Sequence, residues 1–139
     1  MRNLPLLEND VIFAYLNKND ANHLVAKRIF QAIKDAKLEV SISSISLIEM
    51  ELIYRSEGKE DIIIQHLSAI GSLPNVTYPP FTPVIALTSV HLRKEVKLSF
   101  FDSHYAAAAL NLDGKIISFD TDYDVVEGLE RIEPAKALK

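Results

Sequence analysis

Short apolar runs of strand length alternate along this chain with longer stretches whose apolar residues recur at helical spacing, and this alternation restricts the fold more than any other feature. Leu4 to Leu7 reads as a buried strand ended by the polar Glu8-Asn9-Asp10, and Val11 to Leu16 starts a helix that Asn17-Lys18-Asn19-Asp20 breaks. From Ala21 the apolar positions Leu24, Val25, Ile29 and Ile33 predict a helix reaching Lys37. Leu38-Glu39-Val40-Ser41-Ile42 alternates in polarity and predicts a second strand, followed by a helix over Ser43 to Arg55. Gly58 precedes a further helix through Ile62, Ile63, Leu67 and Ile70. Gly71 to Pro83 carries most of the prolines, with Val76 and Tyr78 extended, as expected where a chain crosses from one half of a sheet to the other. Two helices follow, over Val84 to Val96 and over the alanine-rich Phe100 to Leu112. After a turn at Asn111 to Gly114 come a buried strand, Lys115 to Phe119, and a last short one, Leu129 to Ile132. Strands alternating with helices imply an α/β fold of three layers, α/β/α, around a central parallel sheet.

In such sheets, sites form beyond the carboxyl ends of the strands, and acids stand there. Glu8 and Asp120 directly follow predicted strands, and Asp10, Glu49 and Asp102 lie at the edges of other apolar runs. Carboxylates gathered at one point repel each other unless a cation joins them, so a magnesium or manganese site is the expectation. Taken singly, several of these acids fit purely structural roles. Ser46-x-x-Glu49, Ser99-x-x-Asp102 and Thr121-x-x-Asp124 match a capping box, Asp10 suits the N-cap of a helix beginning at Val11, and Asp120 and Asp122 suit a turn. Glu51 and Glu57 read as solvent-facing. Capping does not require several acids to converge, whereas metal binding does.

The remaining sequence narrows the class. The 139 residues match one domain, 48% of them are apolar, and the absence of cysteine excludes disulfides and thiolate metal sites. His23, His66, His91 and His104 show no paired zinc spacing. No apolar stretch is long enough to span a bilayer, and Met1 to Pro5 leads into only a few apolar residues, so neither a leader nor a membrane partner is expected and the cytoplasm is the expected location. A net charge of −4 weighs against a protein that coats nucleic acid by phosphate neutralisation alone. Arg93, Lys94 and Lys97, and Lys18, Lys27 and Arg28, read as solvated helix faces. His104 reads as packing beside the alanine-rich helix rather than contacting a phosphate or orienting a carboxylate, and Tyr105 and Tyr123 read as packing residues, a tyrosine beside the cleft also being able to stack on a base.

Four motifs in order resemble those of the PIN domain family, the small nuclease domain of VapC-type toxins. They are Glu8-Asn9-Asp10-Val11-Ile12-Phe13-Ala14-Tyr15-Leu16, Ser44-Ile45-Ser46-Leu47-Ile48-Glu49-Met50, Leu98-Ser99-Phe100-Phe101-Asp102-Ser103-His104-Tyr105-Ala106-Ala107, and Ile117-Ser118-Phe119-Asp120-Thr121-Asp122-Tyr123-Asp124 with Gly128 to Ile132. The resemblance covers almost the whole chain and implies one PIN-like domain over residues 1–139. It departs from the family at one point: Glu8 stands where aspartate is usual. Glutamate keeps the charge but lengthens the side chain, and Asp10, at a position that is usually Asn, Ser or Thr, supplies a carboxylate of its own.

The resemblance implies a Mg2+- or Mn2+-dependent endoribonuclease that cleaves single-stranded RNA, with Glu8, Glu49, Asp102 and Asp120 catalytic. It places metal ligands among Glu8, Asp102, Asp120, Asp122 and Asp10. It further implies a homodimer and an antitoxin partner whose tail enters the acidic cleft. Two rival readings stand beside it. Glu8 suits a catalytically degenerate PIN-like module that binds RNA or protein, and Glu8-Asn9-Asp10 after a strand suits a phosphatase of the Asp-x-Asp type, for which a glutamate is a poor phosphoryl acceptor.

Overall fold

Leu6–Leu7 (β1), Val40–Ser41 (β2), Val76–Thr77 (β3), Lys115–Ile117 (β4) and Glu130–Ile132 (β5) form one sheet in the order β3-β2-β1-β4-β5, with every pairing parallel. The protein is described here from a computed structural model over residues 4–138. Met1–Asn3, on which the expectation of no leader partly rests, and Lys139 lie outside the described residues. Six helices connect the strands: Asn9–Leu16 (α1), His23–Lys34 (α2), Ser44–Ser56 (α3), Glu60–Gly71 (α4), Pro83–Glu95 (α5) and Phe100–Leu110 (α6).

The register of the two central strands divides the core. Leu6 pairs with Ile116, and Leu7 with Ile117. Successive side chains of a strand point to opposite faces, so the sheet packs different layers on its two sides. Leu7 and Ile117 join Val11 and Ile12 of α1, Ile29, Phe30 and Ile33 of α2, Met50 of α3 and Ile70 of α4. Leu6 and Ile116 join Ile85 of α5 and the buried Tyr105 to Ala109 face of α6. The small alanine side chains let α6 pack closely against α5 and the sheet. The three layers expected from the sequence are present.

Val76–Thr77 is a true edge strand, and from it the chain crosses the molecule to α5, α6 and β4 on the far side of β1. This is the crossing the proline-rich segment predicts. A second feature ties β4 to β5. Gly114 has φ +77°, a backbone conformation that strains any other residue, and a Cβ built on it would lie 3.1 Å from the carbonyl oxygen of Gly128.

Three helix starts differ from the sequence expectation. Strand β1 ends at Leu7, so Glu8 rather than Asp10 is the N-cap of α1, its side chain accepting the Asp10 amide. Ser43 rather than Ser46 caps α3, because the helix begins as soon as β2 ends, and Ser46 lies buried within the first turn. Asp120 rather than Thr121 caps the 3-10 turn Thr121–Val125, accepting the Asp122 amide at 2.9 Å. Only the expected cap at Ser99 is realised, through a bond from the Asp102 amide at 3.2 Å.

Ile29 is fully buried under the sheet, while Leu24, on the same helix, is 73% exposed. Ile29→Ala is expected to cost about 2–5 kcal/mol through lost burial and a residual cavity, and Leu24→Ala to stay within about 0.5 kcal/mol. Urea denaturation of the two variants checks the assignment of this helix face.

Candidate metal centre

The carboxyl ends of the three central strands open onto a common cleft, and the segments leaving them bring the acids there. Glu8 follows β1 directly, Ser118 to Asp120 follow β4, and the helix after β2 carries Glu49. Asp102 comes from the first turn of α6.

Ser118 links the β1 and β4 exits. Its hydroxyl accepts the amide of Asp120 at 3.0 Å and donates to Asp10 Oδ2 at 2.8 Å, while the amide of Phe119 donates to the same Oδ2 at 2.9 Å. Glu8 Oε2 lies 3.3 Å from the Ser118 hydroxyl. A serine has one hydroxyl proton, and Asp10 holds it at the shorter distance. Asp10 is therefore the main acceptor, and the longer Ser118–Glu8 contact is the weaker branch of the same donor.

Glu8 is 5% exposed, and burial, followed by the charges of Asp10, Asp102 and Glu49, holds its pKa well above the ordinary 4.5. Burial also raises Asp10, against the lowering effect of bonds from Ser118 and Phe119. Asp10 Oδ1 is buried without a hydrogen-bond partner. Asp102 is raised by burial first, with the charges of Asp120 and Glu49 adding to it.

Asp102, Asp120 and Asp122 each offer a carboxylate oxygen within 4.8 Å of the other two. Hard oxygen donors at such separations suit a small divalent cation with metal–oxygen distances near ~2.1 Å, so the residues present fit the group. Glu8 and Glu49 border this set without belonging to it. Among the described residues this is the one group of three or more acids or histidines so closely spaced.

Two tyrosines expected to pack do pack, and each also gives its hydroxyl proton to a cleft acid. Tyr123, fully buried, donates to Asp102 Oδ1 at 3.2 Å. Tyr105, also fully buried, donates to Glu49 Oε1 at 2.7 Å, and Asn9 Nδ2 donates to the same oxygen at 2.7 Å. Burial first, and then the surrounding negative charge, drives both phenols far above their ordinary pKa, so both remain donors. Asn9 and Ser118 were not singled out by the sequence, although each lies inside a motif that was.

Other expected features resolve as follows. Glu49 is not a capping residue, since Asn9 and Tyr105 occupy its carboxylate. His104 packs, with its ring beside Phe81 and Phe100 and Nδ1 2.7 Å from the Phe100 carbonyl. Arg93 departs from a solvated helix face: its guanidinium lies 5.0 Å from the Phe100 ring and donates to Ser103 at 2.8 Å. Lys94, Lys97, Lys18, Lys27 and Arg28 are exposed as expected. Asp124 pairs with Arg131 at 2.8 Å, and Arg131 also donates to Glu133 and to the Ser118 carbonyl, fastening the turn that carries Asp120 and Asp122. No helix among the described residues is long and apolar enough to cross a membrane.

The sequence matches the model of the PIN domain family over residues 6–129. Among curated proteins none matches. The fold is similar to the VapBC2 complex of Rickettsia felis bound to a fragment of promoter DNA, at 16% identity and a TM-score of 0.70, covering 91% of this chain and 96% of that one. It is similar to VapBC-1 of nontypeable Haemophilus influenzae at 19% identity and a TM-score of 0.68, covering 94% and 98%. VapC20 of Mycobacterium tuberculosis, a toxin that cleaves the sarcin–ricin loop, aligns at 17% identity and a TM-score of 0.63, covering 86% and 92%.

A carboxylic acid whose folded pKa lies above its unfolded one binds more protons when folded between the two values. The metal-free protein therefore loses stability as pH rises from the ordinary Glu8 value of 4.5 through its raised folded value. Glu8→Gln is expected to flatten this fall and raise the melting temperature at neutral pH in EDTA, by about 4 °C for each kcal/mol of repulsion relieved. A variant that melts below wild type with an unchanged pH slope would place the buried charge elsewhere.

Proposed function

The chain belongs to the PIN domain family, and from that premise we propose that it is a Mg2+- or Mn2+-dependent endoribonuclease acting on single-stranded RNA, the toxin of a toxin–antitoxin pair. The convergence of Asp102, Asp120 and Asp122 beyond the ends of the central strands carries this reading. The likeness in fold to toxins of VapBC pairs supports the biological setting, and a neighbour that cleaves the sarcin–ricin loop supports RNA as the substrate class.

In this reading Asp102, Asp120 and Asp122 hold the cation, and Glu49 borders it with the carboxylate oxygen that Asn9 and Tyr105 leave free. When bound, the cation polarises the scissile phosphate and lowers the pKa of an attacking water. Glu8 and Asp10 complete the acidic wall, and cation binding draws Glu8 toward its ionised form. The cleft excludes free anions by its own charge, so RNA enters it where a cation neutralises the wall. An antitoxin tail bearing positive side chains fits the same cleft. A groove of about 420 Å³ between α1, α3 and α4, floored by Phe13, Leu16, Ile53 and Ile62, supports a seat for its apolar residues.

Exposed apolar side chains on α5 (Val84, Leu87 and Val90) and on α3 (Ile48 and Leu52) support a homodimer that covers them. The residues 1–139 form one PIN-like domain in this reading, working in the cytoplasm. Sedimentation of wild type as a dimer and of Leu87→Glu as a monomer would bear out the assembly, and a wild-type monomer would remove it.

One observation favours a second reading, a degenerate binding module: Glu8 is buried and held toward its protonated form. The phosphatase alternative has little support, since a buried Glu8 engaged by the Asp10 amide and Ser118 is poorly placed to attack a phosphate ester.

The test is cleavage of a labelled single-stranded RNA in Mg2+, Mn2+ or EDTA. Cutting is expected to need the cation and to fall by more than ~100-fold in Asp102→Asn, beyond the usual cost of losing an outer partner of a metal ligand. Cleavage by Glu8→Asp with a silent wild type would establish the degenerate module. If wild type is silent and no cation raises its melting temperature, the metal reading falls.

A further inference from the structure

Glu49 is held by one oxygen only. Asn9 Nδ2 and Tyr105 Oη both donate to Oε1, each at 2.7 Å, and among the described residues no donor is assigned to Oε2. The three residues come from α1, α3 and α6, so the contact forms only when all three helices are docked. Asn9 is 1% exposed and Tyr105 is fully buried.

The orientation of Asn9 is determined by its surroundings. Its Nδ2 lies 3.1 Å from the Ser46 carbonyl and 3.1 Å from Tyr105 Oη as well as against Glu49, all groups able to accept. A flipped amide would set its oxygen against a carbonyl and a carboxylate. The price is visible on the other side, where Asn9 Oδ1 is buried without a partner. A buried acceptor left unpaired is costly, and it is retained where both amide hydrogens serve Glu49 and its neighbours.

We infer that Tyr105 and Asn9 are positioning residues for divalent-cation binding, which occupy Oε1 of Glu49 and so turn Oε2 alone toward the acidic cleft. This rests on the metal-dependent reading above. A free glutamate samples several rotamers and offers a cation either or both of its oxygens. Held at Oε1, Glu49 keeps one rotamer and approaches as a one-oxygen donor, directly or through water. That geometry suits an ion that requires octahedral, single-oxygen ligation. Partners of this kind typically govern metal affinity by 10–100-fold.

The test is Mn2+ affinity of the full-length chain, read by electron paramagnetic resonance of free Mn2+, for wild type, Asp102→Asn, Glu49→Gln, Tyr105→Phe, Asn9→Ala and the Glu49→Gln/Tyr105→Phe double variant. Tyr105→Phe is expected to weaken Mn2+ by about 10-fold or more. The same change in the Glu49→Gln background is expected to add almost nothing, because Tyr105 acts through Glu49. Affinity equal to wild type in Tyr105→Phe, or a full additional loss in the double variant, overturns the inference and leaves the metal site intact. If Tyr105→Phe does not fold, Asn9→Ala decides, with a loss supporting the inference and wild-type affinity overturning it. A wild type that binds no Mn2+ defeats the metal reading and this inference together, a pattern distinct from loss in the single variants alone.

Discussion

The hydroxyl of Ser118 joins the two strand ends on which the cleft is built. It accepts the Asp120 amide and donates to Asp10, so the exit from β4 is tied to the first turn of α1, whose cap is Glu8 at the exit from β1. The Phe119 amide adds a second bond to Asp10 from the same exit. Two buried acids beside each other are a destabilising arrangement in water-poor surroundings. Here the arrangement is tolerated because backbone amides and one hydroxyl share the charge of Asp10, while Glu8 is held toward its neutral form. Asp120 and Asp122 hang from the β4 exit and Asp102 is bonded by Tyr123 from the turn just beyond, while Glu49 is held separately by Asn9 and Tyr105.

In the metal-dependent reading proposed above, a proton and a cation compete for the same acidic wall. Without a cation, burial and repulsion raise the Glu8 pKa. With one, the attraction between the ion and the carboxylates opposes that shift. The extra methylene of Glu8, compared with an aspartate at the same place, changes where its carboxylate lies. Asp10 then takes the bonds from Ser118 and Phe119.

Most of the fold was legible because its signals are local. The order of elements could be read from runs of Leu, Ile and Val against helical spacing, and the parallel sheet follows from that order. The boundaries were less legible, because strands of two or three residues are defined by pairing with neighbours, which no local pattern reports. The edge strand Val76–Thr77 illustrates this: its burial is slight, and its partner β2 lies more than thirty residues earlier. The acids of the site were visible because carboxylates after strands are conspicuous in an α/β pattern. Their partners were not. A tyrosine that packs and a tyrosine that packs while donating to a carboxylate have the same sequence, and only the meeting of α6 with α3 distinguishes Tyr105. The capping reading at Ser46 failed for a related reason: Ser46-x-x-Glu49 is a valid pattern placed one turn too late, inside a helix already capped by Ser43.

The hydrogen bonds also divide the acids by what they have left to offer. Asp102 has Oδ1 bonded by Tyr123, Asp120 has Oδ1 bonded by the Asp122 amide, Asp10 has Oδ2 bonded by Ser118 and Phe119, and Glu49 has Oε1 bonded by Asn9 and Tyr105. Each of these four uses one oxygen to hold its place, and Asp10 keeps the other buried without a partner. If the cleft takes a cation as proposed, single-oxygen donors of this kind suit a small ion with octahedral demands. Glu8 differs, since Oε1 receives the Asp10 amide and Oε2 meets Ser118, both at 3.3 Å. Glu8 is thus the cleft acid with both oxygens already in contact with protein donors.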